Sequence, residues 1–271
     1  MPELPEVEAV ARILRPLVRG QTIVRCRVLH PIAVRPQSPA ELCRSLEGQR
    51  IEAVKRRGKY LLLGLARGCA VLHFRLDGQV LWFPRRRATG GVHIDVAMEL
   101  NTGTLGFVDR RHFGRVNWLA REESSPVIRS LGVDALSPKF TPQRLEALLK
   151  KARRPLKLFL MDQTRIAGLG NIYSNEALWH ARLSPRRRAY RLVRREARRL
   201  HKAIVYVLGR ALECCLYPAP DFRDAKWWFQ GLEKMLRVYG REGEHCRRCG
   251  GRIRRIEQGG RSSFFCAGCQ R

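Results

Sequence analysis

Two Cys-x-x-Cys pairs near the end of the chain, Cys246/Cys249 and Cys266/Cys269, are separated by 16 residues. No other feature restricts the local fold so tightly. Two such pairs on tight turns bring four thiolates to the corners of a tetrahedron, the geometry of a Zn2+ site. Four sulfur ligands leave no position for substrate, so a structural ion is expected rather than a catalytic one. Between the pairs, Ile253, Ile256, Gly259-Gly260 and Phe264-Phe265 read as two short strands joined by a glycine turn that carries Arg261. A segment this small cannot build a sufficient core, and the metal supplies folding free energy. His245 adjoins the first cysteine and is an alternative ligand. One structural Zn2+ per chain and no organic cofactor are expected. The other five of the nine cysteines are scattered among apolar residues, which suits reduced thiols better than disulfides.

Charge narrows the partner. The 271 residues carry 53 Lys and Arg against 24 Asp and Glu, a formal net charge of +29. No disordered basic tail absorbs that excess, so the folded surface itself is basic and suits a polyanion. No apolar run of membrane-spanning length and no lipidation signal is evident, which puts nucleic acid ahead of an anionic membrane. A ribosomal or chromatin-like protein would share this charge. Pro2 and Glu3 stand where a signal peptide would place basic residues, so a cytoplasmic location is expected.

The hydrophobic period changes along the chain. Val7, Val10, Leu14 and Leu17 mark one face of a helix over residues 5–18, with Pro5 in its first turn and Glu3, Glu6 and Glu8 at its positive end. From there to about residue 120 the period is two. Ile94, Val96, Met98 and Leu100 alternate with His93, Asp95, Ala97 and Glu99, and residues 101–103 turn into a second apolar stretch, 104–108, a β-hairpin. Further strands are expected at 22–29, 59–65, 70–74 and 80–83. Helical periods return at 142–152, 156–161, 170–181 and 191–215. The fold class is therefore α+β and multidomain: a β-sandwich over 1–136, a helical domain over 137–239 and the four-cysteine finger over 240–271.

Removal of Met1 would expose the secondary amine of Pro2 at the start of a helix. An α-amino group titrates near pH 8, and the positive helix end favours its neutral, nucleophilic form. Attack on the anomeric carbon of a nucleotide would displace the base and leave an iminium, an electron sink for elimination. Glu3 is a candidate acid or base beside it. Read in isolation, the same residues make no more than a good helix start.

Four segments occur in order: Met1-Pro2-Glu3-Leu4-Pro5-Glu6-Val7-Glu8, Arg57-Gly58-Lys59-Tyr60-Leu61, Gly168-Leu169-Gly170-Asn171-Ile172-Tyr173, and the terminal cysteine finger. Together they closely resemble the formamidopyrimidine-DNA glycosylase / endonuclease VIII family over nearly the whole chain. The resemblance implies an N-terminal β-sandwich flanked by helices, a helix-two-turn-helix domain and a zinc finger, with damaged double-stranded DNA held in a basic cleft between domains. It also implies a monomer, associated with the nucleoid through DNA. Pro2 matches the Schiff-base nucleophile, Glu3 the acid assisting base loss, Lys59 the lysine beside the lesion phosphate and Arg261 the arginine assigned to δ-elimination. Asn171 and Lys157 match DNA-contacting residues, and His73 and His93 fall where the family places DNA-contacting histidines. Within Asp109-Arg110-Arg111-His112-Phe113-Gly114, Arg111 resembles the residue facing the orphaned base, and Phe113 the wedge beside it. Leu76 occupies the position of a usual wedging methionine.

The implied activity is excision of oxidised bases, 8-oxoguanine and formamidopyrimidine by default, followed by β,δ-elimination. The match fails at 216–230. There Pro218, Pro220 and Trp227-Trp228 replace a glycine- and threonine-rich loop. A different lesion range, covering oxidised pyrimidines, hydantoins or abasic sites, and a non-catalytic damaged-DNA binder remain the alternatives.

Overall fold

Pro5 in the first turn and an apolar stripe facing inward give α1, Leu4–Val18, which buries Leu4, Val7, Val10, Leu14 and Val18. Leu17 is only half-buried, because Val18 takes the inward position at the end of the stripe. The computed structural model describes residues 2–84, 92–217 and 231–271. The divergent segment at 216–230 lies outside the described residues apart from Leu216 and Tyr217. The chain divides into two compact units, residues 1–130 with 215–230, and residues 131–214 with 231–271.

The first unit holds α1, β1 (Ile23–Val28), α2 (Pro39–Leu46), β2 (Ile51–Arg57), β3 (Tyr60–Leu65), β4 (Cys69–His73), β5 (Gln79–Phe83), β6 (Val96–Leu100), β7 (Thr104–Val108), β8 (Arg115–Leu119) and α3 (Pro126–Ser130). Two four-stranded antiparallel sheets result, in the orders β1-β6-β7-β5 and β2-β3-β4-β8. The β6–β7 hairpin pairs Val96 with Phe107 and Glu99 with Thr104, around the turn expected from the sequence. Phe74, just beyond β4, stacks on Phe107 of β7 with ring centroids 6.2 Å apart. In this unit two strands and two helices were not legible: β2 and β8 are rich in Lys, Arg and Asn, α2 is a short helix with only Leu42 and Leu46 buried, and α3 is five residues long with only Ile128 buried.

The second unit holds β9 (Val133–Asp134), α4 (Pro142–Lys150), α5 (Leu156–Leu160), β10 (Ile166–Ala167), α6 (Asn171–His180), α7 (Arg194–Leu216, whose last two residues fall in the first unit), α8 (Leu232–Met235), β11 (Ile253–Gln258) and β12 (Arg261–Cys266). Strands β9 and β10 form a short parallel bridge. The β11–β12 hairpin closes through Gly259 and Gly260, both left-handed with φ of 57° and 68°. A two-residue turn of type I′ needs that conformation at both positions, and glycine adopts it without Cβ strain. Among the described residues, no helix is long and apolar enough to cross a membrane.

Candidate functional site

In the first unit Pro2 is buried and precedes Glu3, the N-cap of α1. The Glu3 N–H donates to Glu6 Oε2 at 2.8 Å, and the Glu3 side chain is fully buried. Both carboxylates thus stand at the positive end of the helix, where the dipole favours negative charge. Lys59 sits in the two-residue turn between the paired residues Arg57 and Tyr60, which Gly58 closes with φ of 56°. One side chain ties this turn to α1. Arg56 Nε lies 2.8 Å from Glu8 Oε2 and its guanidinium donates to the Gly58 carbonyl at 3.0 Å. With side-chain exposures of 7% and 17%, Arg56–Glu8 is shielded enough to hold position rather than dissolve into solvent.

His73, opposite Tyr60 on β4, has its ring 4.4 Å from the tyrosine ring. Burial, then the positive charges of Arg75 and Lys59, push its pKa down to about 3. It is therefore neutral at physiological pH. The Arg75 N–H donates to His73 Nδ1 at 3.3 Å, which assigns the remaining proton to Nε2 and makes His73 an uncharged donor. A cavity of about 550 Å³ beside it is lined by Tyr60, His73, Arg75, Arg115 and Trp118; Pro2 and Glu3 do not line it, so it does not mark the proposed chemistry.

Arg111 and Phe113 project from a loop organised by one buried carboxylate. Asp109 accepts the Arg111 N–H at 3.0 Å on Oδ1 and the Gly114 N–H at 2.6 Å on Oδ2. Its own N–H donates to Asp95 Oδ2 at 2.6 Å. The Arg111 guanidinium lies 5.0 Å from the Phe113 ring centroid, and Phe113 is 46% exposed. An exposed aromatic on a rigid loop fits a wedge better than a core residue. Leu76 lies half-buried in the turn after β4, and the Asp77–Arg111 ion pair at 3.2 Å joins that turn to the loop. The structure thus ties the turn that carries Leu76 to the loop that carries Arg111 and Phe113. His93 lies against the buried Asp95, with Nε2 3.3 Å from Oδ1, and its ring is 5.2 Å from that of His112 in the same loop.

In the second unit Asn171 is the first residue of α6, after the left-handed Gly168 and the N-cap Gly170. Gln163 shapes the approach by accepting the Gly168 N–H at 3.0 Å and donating to the Leu169 carbonyl at 2.6 Å. Asn171 Oδ1 is buried and has no hydrogen-bond partner among the described residues. Lys157 differs from expectation. It is fully buried, and its Nζ donates to the Ser262 carbonyl at 2.7 Å and to Ser263 Oγ at 2.8 Å. Through these two bonds it anchors the strand that begins at the exposed Arg261. Asn175 Oδ1 accepts the Phe264 N–H at 2.9 Å and adds a second anchor.

The finger is held on α6 by residues that sequence reading missed. Glu176 is buried and accepts the N–H groups of Arg237, Val238 and Tyr239 at 2.8, 3.0 and 2.9 Å. Burial raises its pKa, against the opposing effect of those three donors. The available signal was a glutamate inside the otherwise buried run Tyr173–Trp179. The Trp179 indole donates to Cys246 Sγ at 3.4 Å, and Arg248 lies 3.6 Å over the indole centroid.

The sulfur atoms of Cys246, Cys249, Cys266 and Cys269 lie within 4.8 Å of one another. Cys246 and Cys269 are 3.8 Å apart, Cys249 and Cys266 3.4 Å. A tetrahedron of zinc–sulfur bonds has an edge of about 3.8 Å, so the residues fit the ion. His245 is turned away, its Nδ1 bound to the Gly250 carbonyl at 2.7 Å. The four thiols therefore form the donor set for one structural zinc.

Comparison with known proteins agrees over the whole chain. Residues 1–116 match the formamidopyrimidine-DNA glycosylase N-terminal domain, 131–215 the formamidopyrimidine-DNA glycosylase H2TH domain, and 243–271 the zinc finger found in FPG and IleRS. The formamidopyrimidine-DNA glycosylase of Pelotomaculum thermopropionicum is 38% identical over 276 residues, covering 100% of this chain and 99% of that protein. That of Chloroflexus aurantiacus is 39% identical, covering 100% and 98%. Lactococcus lactis Fpg bound to DNA containing an abasic site superposes with a TM-score of 0.89 at 30% identity, covering 99% of each chain. The same protein bound to DNA containing an oxidized pyrimidine gives 0.88 at 30% identity over 100% of each chain. The chain belongs to the formamidopyrimidine-DNA glycosylase family.

Proposed function

We propose that the protein is a bifunctional DNA glycosylase and abasic-site lyase of base-excision repair, acting on oxidised bases in duplex DNA. The observation that carries this reading is Pro2 at the start of α1, next to buried Glu3, with the Lys59 turn tied to the same helix through Glu8 and Arg56. The Pro2 amine, freed by removal of Met1, attacks C1′ of the damaged nucleotide. The bond from C1′ to the base breaks, and Glu3 supplies the proton that assists base loss and ring opening. The resulting iminium acidifies C2′. Loss of that proton expels the 3′ phosphate, and a second elimination expels the 5′ phosphate.

Lys59 and Arg261 are the candidate phosphate-side groups for these two eliminations. Asn171 at a helix N-terminus, His93 and the uncharged His73 are proposed backbone contacts. Lys157 serves by placing the Arg261 turn. Arg111, Phe113 and Leu76 fill the space the extruded nucleotide vacates. The bound zinc supplies folding free energy to the finger through Cys246, Cys249, Cys266 and Cys269. We place the protein in the cytoplasm, as a monomer on chromosomal DNA, with sequence domains at 1–136, 137–239 and 240–271. The lesion range extends to oxidised pyrimidines as well as formamidopyrimidines, a reading supported by the DNA bound to the Lactococcus relative.

Borohydride trapping on an abasic-site duplex tests the chemistry. Reduction of the iminium should leave a covalent adduct, lost in Pro2→Glu, which keeps Met1 in place and displaces the amine. A correctly processed protein that binds the duplex without forming an adduct would leave the non-catalytic reading instead. A panel of duplexes, each lesion opposite each base, then sets the substrate range.

A further inference from the structure

Three of the chain's seven histidines, His30, His93 and His112, gather around one carboxylate that the proposed chemistry does not use. Their ring centroids are 4.6 Å (His30–His93), 4.6 Å (His30–His112) and 5.2 Å (His93–His112) apart. The placement follows from the β1–β6 ladder. Beyond the Val28–Val96 pair, the N–H groups of Leu29 and His30 donate to the Asp95 carbonyl at 2.8 and 3.2 Å, which fixes His30 beside Asp95. The Asp95 side chain is fully buried, while His93 and His112 are 33% and 32% exposed, so solvent reaches the imidazole side of the cluster.

We propose that His30, His93 and Asp95 form a second metal site, for a borderline divalent transition-metal ion such as Zn2+, Co2+ or Ni2+. One ligand atom from each lies within 4.8 Å of the other two. His93 Nε2 and Asp95 Oδ1 are 3.3 Å apart. That is long for a charge-assisted hydrogen bond, whose usual length is about 2.7–2.9 Å. It equals the edge of a tetrahedron with metal–ligand bonds of about 2.0–2.1 Å, which is about 3.3–3.4 Å.

His112 supports the carboxylate from behind. Its Nδ1 sits 2.8 Å from the same Asp95 Oδ1, and its left-handed backbone, φ of 54°, turns the ring toward that oxygen. Asp95 Oδ2 is engaged by the Asp109 N–H at 2.6 Å, so the ligand oxygen is held against rotation. A carboxylate fixed by outer hydrogen bonds is the normal support of a metal ligand. Two imidazoles and one carboxylate select late first-row ions over Mg2+ and Ca2+. Three protein ligands leave one position open, unlike the closed four-thiolate finger.

The test uses full-length protein whose finger is loaded with zinc, titrated with Co2+. Cobalt binds nitrogen and sulfur sites more weakly than zinc, so it does not empty the finger. One further equivalent should bind, with visible ligand-field absorption and without sulfur-to-cobalt charge transfer. His30→Asn and His93→Asn should each weaken that equivalent by at least about tenfold, and His112→Ala by about tenfold. Asp95 is left intact because it also supports the Asp109 loop; circular dichroism confirms that the histidine variants fold. Absence of a second equivalent would overturn the site. So would binding that survives both His30→Asn and His93→Asn, or a spectrum carrying thiolate charge transfer. Because the titration needs no DNA, borohydride trapping remains an independent test of the enzymatic reading.

Discussion

Gly114→Ala is a sharp test of how the Arg111–Phe113 loop is built. A Cβ at Gly114 would lie 2.5 Å from Phe107 Cζ and 3.0 Å from Asp109 Oδ2. The glycine is not in a left-handed conformation, so backbone strain does not enter. With open space, the lost unfolded-state freedom would make alanine stabilising by about 0.4–1 kcal/mol. Overpacking against the buried Phe107 opposes this with about 1–3 kcal/mol. Any shift that relieves the clash also stretches the Gly114–Asp109 hydrogen bond of 2.6 Å, a buried contact worth about 1–2 kcal/mol. The balance is a net destabilisation of about 2–3 kcal/mol, with the loop displaced. Urea unfolding of the zinc-loaded variant measures the first part, and affinity for an abasic-site duplex the second. Gly209→Ala in α7, where a Cβ meets nothing within 4 Å, should instead stabilise by about 0.8–1 kcal/mol. A Gly114→Ala protein at least as stable as the parent would refute the packing argument.

Other consequences are equally direct. The folded-state pKa of His73 is about 3 against the ordinary histidine value of 6.5, so between those values the unfolded chain binds more protons and stability falls as pH drops. His73→Gln should therefore lose less stability than the parent between about pH 7 and pH 5, read from urea midpoints at each pH. Glu176→Ala strands the buried Val238 N–H and the half-buried N–H groups of Arg237 and Tyr239, and a loss of about 3–5 kcal/mol is expected at about 1–3 kcal/mol for the buried donor and about 1 kcal/mol for each of the other two. Hydrogen exchange should locate the loss in the finger; protection there equal to the parent's would contradict the anchoring role. Chelation of zinc, or Cys246→Ser, should unfold the β11–β12 hairpin and weaken duplex binding, measured by tryptophan fluorescence and electrophoretic shift. Normal binding by the zinc-free protein would count against the finger.

Much of the architecture was legible because it depends on short-range patterns. The four-cysteine spacing, the Gly259-Gly260 turn, the Pro5 helix start and the alternation through residues 93–100 before the apolar stretch 104–108 each state a local geometry that tertiary context had no reason to override. The basic excess and the ordered motifs pointed to the polyanion and the family. Strands β2 and β8 escaped because their polar residues pair within a sheet, and β-pairing is decided by neighbours distant in sequence.

Side-chain direction was beyond the sequence. Lysine at position 157 reads as a DNA contact until packing turns its ammonium onto Ser262 and Ser263. Glu176 looks like an ordinary helix residue until residues 237–239 bring it three donors. His30 has no meaning beside His93 until the β1–β6 register closes the distance between them. The spacing of residues along the chain determined which chemistries this protein could assemble. Tertiary structure alone decided which polar groups meet one another, because a buried donor, acceptor or charge must find its partner wherever the fold brings one.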